Sequence, residues 1–346
     1  MHLIFNNMIL RKKDSIVFLT IGILFCVFIA YFKESIFPEK YFFDSLTLQY
    51  AIEHPVRERL DQSFSNTAKF YRIFNIDKYF VAPLLALFAY FFVIFKLFKN
   101  YSIQYISFFS YILLVVYSAI AMVYMATYSK DFVLFLIVMV PFVYFEKKSL
   151  IVWSIFVFLY AYFFRNYWFI SIALFWGIKL FLVKKPKLLM LFIPFYYVLI
   201  SFVYNYIFGT PLSLIRYIAN LDRDADSAQT AIAIFIQGDN FFMEAANYFI
   251  TLIFLIIPLP LLLLAKPLYI VLSLLISLFF YNFFKLYVNE YNNKEYSNIF
   301  SFVISFMLVQ SLFEPDYGSF VRHLAPLYPL VFICIARNTK IIEYDE

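Results

Sequence analysis

Glycine and charged residues are both scarce in this sequence. Glycine occupies 5 of 346 positions and charged residues make up 14% of the chain, whereas a soluble domain averages about 25% charged residues. Close helix crossings in membranes need small residues at the contact, so the shortage of glycine disfavours the tight sliding interfaces of a transporter. The shortage of charge, combined with 64% hydrophobic residues, excludes an ordinary soluble protein and predicts an integral membrane protein.

Several motifs of nucleotide and metal chemistry are also absent from the sequence. There is no Walker-type phosphate loop, no glycine-rich dinucleotide turn and no cysteine–histidine spacing typical of zinc. An Asp-X-Asp pair on a predicted inner loop and acidic residues within the predicted spans are missing as well. We therefore expect no cofactor and no metal, and we place any chemistry on the outer face of the membrane.

Basic residues and cysteines lead to the same class of protein. The net charge of +6 comes from short clusters of lysine and arginine at the ends of apolar runs, which is the pattern of a topology determinant. We therefore expect no nucleic acid partner. Cys26 and Cys334 both fall inside apolar runs, which favours packed thiols over a disulfide.

Eleven apolar runs predict an all-α polytopic membrane protein with about 10–12 transmembrane helices and residues 1–346 as a single transmembrane domain. Many of these runs are long enough to cross about 30 Å of hydrocarbon. The runs cover 15–32, 79–98, 104–126, 132–145, 150–164, 167–183, 188–207, 248–265, 267–284, 297–312 and 324–336.

The distribution of lysine and arginine predicts a cytoplasmic N-terminus and a cytoplasmic C-terminus. Eleven crossings would place the two ends on opposite sides, so one run must fail to cross or one crossing must be missed. Run 248–265 contains Pro258 and Pro260, and we favour a broken or re-entrant segment there. Two larger outer loops, 33–78 and 208–247, contain amphipathic stretches at 43–52 and 230–236 that predict short helices on the membrane surface.

Polar residues at the membrane boundary are costly, so each is a candidate for function. Arg165 lies in an outer turn and is either an arginine that reaches the headgroups or a clamp for phosphate oxygens. Lys130 and Asp131 occupy another outer turn, where Asp131 either caps the following helix or contacts substrate.

The segment before the last run combines two carboxylates, a guanidinium and an imidazole, namely Glu314, Asp316, Arg322 and His323. Arginine suits phosphate binding, and histidine exchanges a proton near neutral pH. The alternative is a polar loop that anchors a helix end.

Both large loops contain further candidates. Arg216 lies among apolar residues, which suits an anion site, whereas Arg223 has acidic neighbours and suits an ion pair within the loop. Arg57 belongs to a small basic cluster in the first outer loop. Asp44, in the same loop, is a candidate catalytic or substrate-binding carboxylate.

The sequence resembles the Wzy-type polymerases of bacterial O-antigen and capsule repeat units in its length, its richness in Phe, Tyr and Ile, and its two large outer loops. Loop 208–247 lacks a complete arginine motif of that family. Short stretches carry the local resemblance: 129–132 (SKDF), 164–168 (FRNYW) and 319–326 (SFVRHLAP).

The resemblance implies a GT-C-like glycosyltransferase of the bacterial inner membrane. It implies a substrate of oligosaccharide linked to undecaprenyl pyrophosphate on the periplasmic side, where arginines hold the diphosphate. Membrane lipid and a chain-length-regulating membrane protein are the implied partners. His323, Arg322 and Arg165 are then the expected catalytic residues. The alternatives are a lipid-linked oligosaccharide flippase, another enzyme of the same compartment (an O-antigen ligase or a membrane acyltransferase), and a non-enzymatic scaffold.

Overall fold

The computed structural model describes residues 12–54, 61–76, 78, 80–103, 106–144, 147–221, 228–238 and 240–338. These residues are almost entirely helical and none of them forms a β-strand, although Ala231 and Asp316 form an isolated antiparallel bridge. The predicted all-α class is therefore confirmed.

The helices follow the apolar runs with few interruptions. In chain order they are α1 Lys12–Ile36, α2 Phe43–Glu53, α3 Gln62–Ile73, α4 Val81–Asn100, α5 Phe108–Met125, α6 Lys130–Val138, α7 Val140–Val143, α8 Lys147–Phe163, α9 Trp168–Gly177, α10 Pro186–Phe208, α11 Ser213–Leu221, α12 Phe241–Ile256, α13 Leu259–Leu263, α14 Pro267–Glu290, α15 Ser297–Phe313, α16 Tyr317–Leu324 and α17 Tyr328–Asn338.

Within the described residues, six helical segments are long and apolar enough to cross a bilayer, as expected of a membrane protein. They are Val17–Ile36, Val81–Asn100, Phe108–Met125, Pro186–Phe208, Pro267–Glu290 and Tyr317–Asn338. Four shorter apolar helices of 10–17 residues accompany them: Lys148–Phe163, Trp168–Leu182, Phe241–Ile256 and Ser297–Phe313. The number of crossings and their direction remain predictions.

The chain divides into two compact units, and the single transmembrane domain stays a prediction. The first contains the described residues up to Phe169 and those from Leu324 onward. In it α1 packs on α5, and α17 packs on α4 and α5. The second unit is Ile170–His323, in which α10 packs on α12 and α12 packs on α15. Helix α15 is almost wholly buried, and its Ser301 and Ser311 hydroxyls bond to backbone carbonyls of the preceding turn.

The predicted break in run 248–265 is confirmed. Helix α12 ends at Ile256, and the five-residue α13 begins directly after Pro258. Proline lacks the amide hydrogen that would continue the helical ladder. The Ser273 hydroxyl donates to the Pro258 carbonyl at 3.3 Å, so α14 supplies a partner for a carbonyl at the break.

Run 132–145 does not form one continuous helix long enough to cross a bilayer. It forms α6 and α7, which are nine and four residues long, so together they rise only about 20 Å. Almost all of their side chains are buried. The side-chain amide of Asn100, the last residue of α4, donates to the Phe142 and Val143 carbonyls at 3.2 and 2.7 Å. These bonds provide partners for backbone carbonyls at the end of α7.

One of the two stretches predicted to be short surface helices is helical, and its place on the membrane surface stays a prediction. Residues 43–52 are helical in α2, as expected, but the prediction for 230–236 is wrong. A 3-10 turn at Ala228–Thr230 is followed by extended chain whose Ile232 amide donates to the Pro315 carbonyl at 2.9 Å. The helix of that loop is α11 instead, in which Arg216 is buried and Ile215 and Ile218 are exposed.

Candidate functional site

Arg216 is held in the second unit by the helix that the sequence did not predict. Helix α11 begins at Ser213, whose amide donates to Glu244 Oε1 at 2.8 Å. A carboxylate at a helix N-terminus satisfies an otherwise unpaired amide and interacts favourably with the helix dipole. Glu244 therefore fixes the start of α11, three residues before the arginine.

The Arg216 guanidinium is buried, with 2% of the residue exposed. Its Nη1 donates to Thr251 Oγ1 at 3.3 Å and to the Ser311 carbonyl at 3.5 Å, and the group lies 5.9 Å from the centroid of the Tyr248 ring. Its Nη2 has no hydrogen-bond partner among the described residues. A buried donor without a partner is costly, so this atom marks a place where a ligand would be stabilised.

Opposing influences act on the Arg216 charge. Burial lowers the pKa of its guanidinium, whereas Tyr248, Glu314 and Glu244 act in the opposite direction. Arginine stays protonated across the physiological range even with a lowered pKa. Arg216 is therefore a buried cation with two carboxylates near it.

Glu244 is a functional candidate that the sequence analysis missed. It lies in the first turn of α12, and its Oε1 also accepts from the Tyr248 hydroxyl at 2.8 Å. Its Oε2 has no hydrogen-bond partner in the described part of the chain, and the residue is 5% exposed. The sequence analysis assigned residues 208–247 to a loop, whereas α12 begins at Phe241. Glu244 was therefore taken for a loop residue and not considered.

Glu314 and His323 form a buried pair. The imidazole Nδ1 lies 2.8 Å from Glu314 Oε2, and the side chains are 10% and 0% exposed for His323 and Glu314. The Ser319 hydroxyl donates to the other oxygen, Oε1. A carboxylate at Nδ1 favours the tautomer with a hydrogen there, which leaves Nε2 as the basic nitrogen. Two of the predicted site residues, nine positions apart, are thus brought together.

The other two residues of that segment have different positions. Asp316 Oδ1 accepts from the Ser319 amide at 2.9 Å at the start of α16, which is the contact of a helix cap. Arg322 is half-buried on α16, directly before His323. The structure therefore gives Asp316 a capping contact and places Arg322 and His323 in the last turn of the same helix.

In the first unit, Arg165 forms an ion pair. Its Nη1 lies 3.1 Å from Asp131 Oδ1 and 3.2 Å from the Tyr167 hydroxyl. Burial acts against the charge, but Tyr167 and Asp131 outweigh it and raise the pKa of Arg165 well above its ordinary value. The pair joins two turns that are 34 residues apart in sequence.

The predicted cap at Asp131 is wrong, because the capping residue is Ser129. The Ser129 hydroxyl accepts from the Asp131 amide at 3.0 Å, which leaves the Asp131 carboxylate for Arg165. The Lys130 ammonium lies 3.5 Å from the centroid of the Phe64 ring, a cation–π contact.

The first outer loop packs on these turns. The Tyr71 hydroxyl donates to the Ser129 carbonyl and accepts from the Ser129 amide, both at 3.0 Å. The Ser45 and Thr127 hydroxyls are hydrogen-bonded to each other, so α2 also reaches the turn at 126–131. Asp44, half-buried on α2, interacts electrostatically with Arg165. The predicted Arg57 lies outside the described residues, as does Arg223.

Comparison with protein-family models, with curated proteins and with solved structures finds no match for this chain. Its function is therefore argued from the geometry of its polar clusters. The cluster of the second unit combines a buried cation, a buried carboxylate at the start of α12 and a histidine–carboxylate pair. That set can hold a polar ligand and move a proton.

Proposed function

We propose that the chain is a membrane glycosyltransferase that joins lipid-diphosphate-linked oligosaccharide repeat units into a polymer. The observation that carries the proposal is the buried His323–Glu314 pair at 2.8 Å, close enough to Arg216 for Glu314 to act on its charge. Buried groups that exchange protons are concentrated at functional sites. The resemblance of the sequence to repeat-unit polymerases supports the choice of substrate, and with it the periplasmic face of a bacterial inner membrane.

His323 acts as the general base in the proposed reaction. The acceptor hydroxyl gives its proton to His323 Nε2, and its oxygen bonds to the anomeric carbon of the donor chain. The anomeric C–O bond to the diphosphate breaks, and the diphosphate leaves with the lipid and the bonding electron pair. Glu314 orients the imidazole and stabilises its positive form, as a carboxylate does in hydrolase triads.

The arginines divide into two roles. Arg322, half-buried in the same helical turn as His323, supplies positive charge for the leaving diphosphate. Arg165 is paired with Asp131, so we assign it to positioning the outer turns of the first unit. This assignment departs from the sequence-based expectation that Arg165 holds diphosphate.

A complementation experiment tests the proposal. The deletion strain is supplied with the wild-type gene, with His323→Ala, with Glu314→Gln or with the control Lys285→Ala, a change at an exposed cation of α14. We expect a ladder of long polymer from wild type and control, and single repeat units from the two site variants.

The lipid-linked pool distinguishes a polymerase from a flippase. In the deletion strain, a missing polymerase leaves single repeat units on the outer face of the membrane, and a missing flippase does not. Full-length polymer from both site variants, or no outer-face repeat units in the deletion strain, would contradict the proposal.

A further inference from the structure

Two buried atoms of the second unit have opposite hydrogen-bonding needs. Arg216 Nη2 is a donor and Glu244 Oε2 is an acceptor, and neither has a partner among the described residues. The two residues are 2% and 5% exposed. Buried polar atoms are nearly always paired with protein, water or ligand, so each of these two atoms is a place where a water or a ligand group would be stabilised.

The two side chains are neighbours that do not satisfy each other. Glu244 acts on the Arg216 charge, yet no direct ion pair joins them in the described structure. Tyr248 lies next to both, because its hydroxyl donates to Glu244 and its ring faces the Arg216 guanidinium. A single group that binds both atoms would accept from a guanidinium and donate to a carboxylate.

Charge limits what that group can be. Arg216 contributes one positive charge, and Glu244 and Glu314 oppose it. A diphosphate would be repelled by two carboxylates in a poorly solvated site, and it offers no hydrogen to Glu244 when ionised. A metal cation would be repelled by the positive charge of the Arg216 guanidinium. A hydroxyl group accepts and donates at once and carries no charge.

We propose that Arg216 and Glu244 form a subsite for a neutral sugar, in which one or two adjacent hydroxyls accept from Arg216 Nη2 and donate to Glu244 Oε2. The inference rests on the proposed glycosyltransferase and assigns this subsite to the acceptor sugar. Arg216 and Glu244 then bind the acceptor sugar, and His323 takes the proton from its reacting hydroxyl. Hydrogen bonds that involve a charged partner are about twice as strong as neutral ones, so the pair selects the positions of hydroxyls.

The test measures sugar binding to the purified full chain in lipid nanodiscs by saturation-transfer NMR and calorimetry. The probes are methyl glycosides of glucose, galactose, mannose, N-acetylglucosamine and rhamnose, with inorganic pyrophosphate as the anionic probe. The variant is Glu244→Gln, which keeps Oε1 and replaces the Oε2 acceptor with a donor. The matched control is Glu295→Gln, at an exposed carboxylate of the same unit.

We expect at least one glycoside to bind wild type and Glu295→Gln with equal affinity. Its affinity for Glu244→Gln should be lower by at least about tenfold. Removing the recognised hydroxyl from that glycoside should weaken binding to wild type but should have little further effect in Glu244→Gln, because the two changes remove the same bond. Thermal unfolding of each variant checks that it is folded.

Three results would overturn the inference: no glycoside binds wild type, Glu244→Gln binds glycoside unchanged, or pyrophosphate competes for the same site. Sugar binding needs no polymer synthesis. The inference can therefore fail while His323→Ala still abolishes polymer, and the proposed function can fail while the glycoside still binds.

Discussion

At the scale of single residues, Arg165, His323 and Arg216 differ in the partners of their buried side chains. Arg165 has Asp131 and His323 has Glu314 as a direct partner. Arg216 has hydroxyl, carbonyl and aromatic contacts and retains an unpartnered Nη2 among the described residues. Since a paired ion is already stabilised, Arg216 is the cation with most to gain from a ligand.

Removing Arg165 should destabilise the first unit. Arg165→Ala leaves the nearly buried Asp131 carboxylate without its cation, a loss of about 3–5 kcal/mol. Adding Asp131→Asn should restore part of that loss, because the neutral amide needs no cation. Thermal unfolding in detergent measures both, with Lys148→Ala, a change at an exposed cation of α8, as the control. Equal stability of wild type and Arg165→Ala would show that the pair is not structural.

Removing the Tyr71 hydroxyl tests the contact between the first outer loop and the turn at 126–131. Tyr71→Phe leaves the Ser129 amide without its acceptor, and an unpaired buried donor costs about 1–3 kcal/mol. We expect a lower unfolding temperature and faster cleavage of the first outer loop by protease. A cleavage rate equal to that of wild type would contradict this role.

At the scale of elements, helix α11 is amphipathic, and it packs its polar side against the protein while its apolar side is exposed. It buries Arg216 and exposes Ile215, Tyr217 and Ile218, which are 42%, 53% and 55% exposed. Exposed apolar side chains beside a membrane-spanning helix are stable in lipid and costly in water. The helix therefore fits the membrane interface, with its apolar face towards lipid and its arginine towards the protein.

Spin labelling measures where α11 lies. A nitroxide at Ile218→Cys should be more accessible to oxygen, which dissolves in lipid, than to a water-soluble nickel chelate. The control at Asn292→Cys, in an exposed turn, should show the reverse. Cys26 and Cys334 are buried and should react little with the label. Strong nickel access at position 218 would place α11 in water.

Elements with a long apolar pattern were predictable, and elements defined by contacts were not. The runs that became α4, α5, α10 and α14 were expected from length and hydropathy alone, and so was the break at Pro258. Residues 230–236 were expected to be helical, but their backbone bonds with the segment at 315–316 instead. Such a partner is distant in sequence, so local periodicity cannot show it.

The prediction of site residues was limited in the same way, because contacts between residues that are distant in sequence leave no local pattern. The candidates Glu314, Arg322 and His323 were found because they are close in sequence and stand before an apolar run. The pairing of Arg165 with Asp131 depends on two turns meeting in space. Glu244 was missed because a single carboxylate at the edge of an apolar run looks like a loop residue until the helix start is known.

At the scale of the whole molecule, long apolar helices provide the bulk and polar clusters occur at their ends. In the part of the chain that the structure describes, six helical segments meet the length and hydropathy of a membrane span. The polar cluster of the first unit consists mainly of contacts that hold turns and loop together. The cluster of the second unit contains buried atoms without a partner among the described residues and a histidine–carboxylate pair. Stability is therefore the main expected role of the first cluster, and chemistry that of the second.

Polymerisation by the purified protein tests the central claim most directly. The full chain is reconstituted in liposomes with lipid-diphosphate-linked repeat units, and the product length is measured by gel electrophoresis. The account predicts a ladder from wild type and from Lys285→Ala, with a rate at least about a hundredfold lower for His323→Ala, as expected for a lost general base. A ladder of wild-type length and rate from folded His323→Ala, or no ladder from wild type, would contradict it.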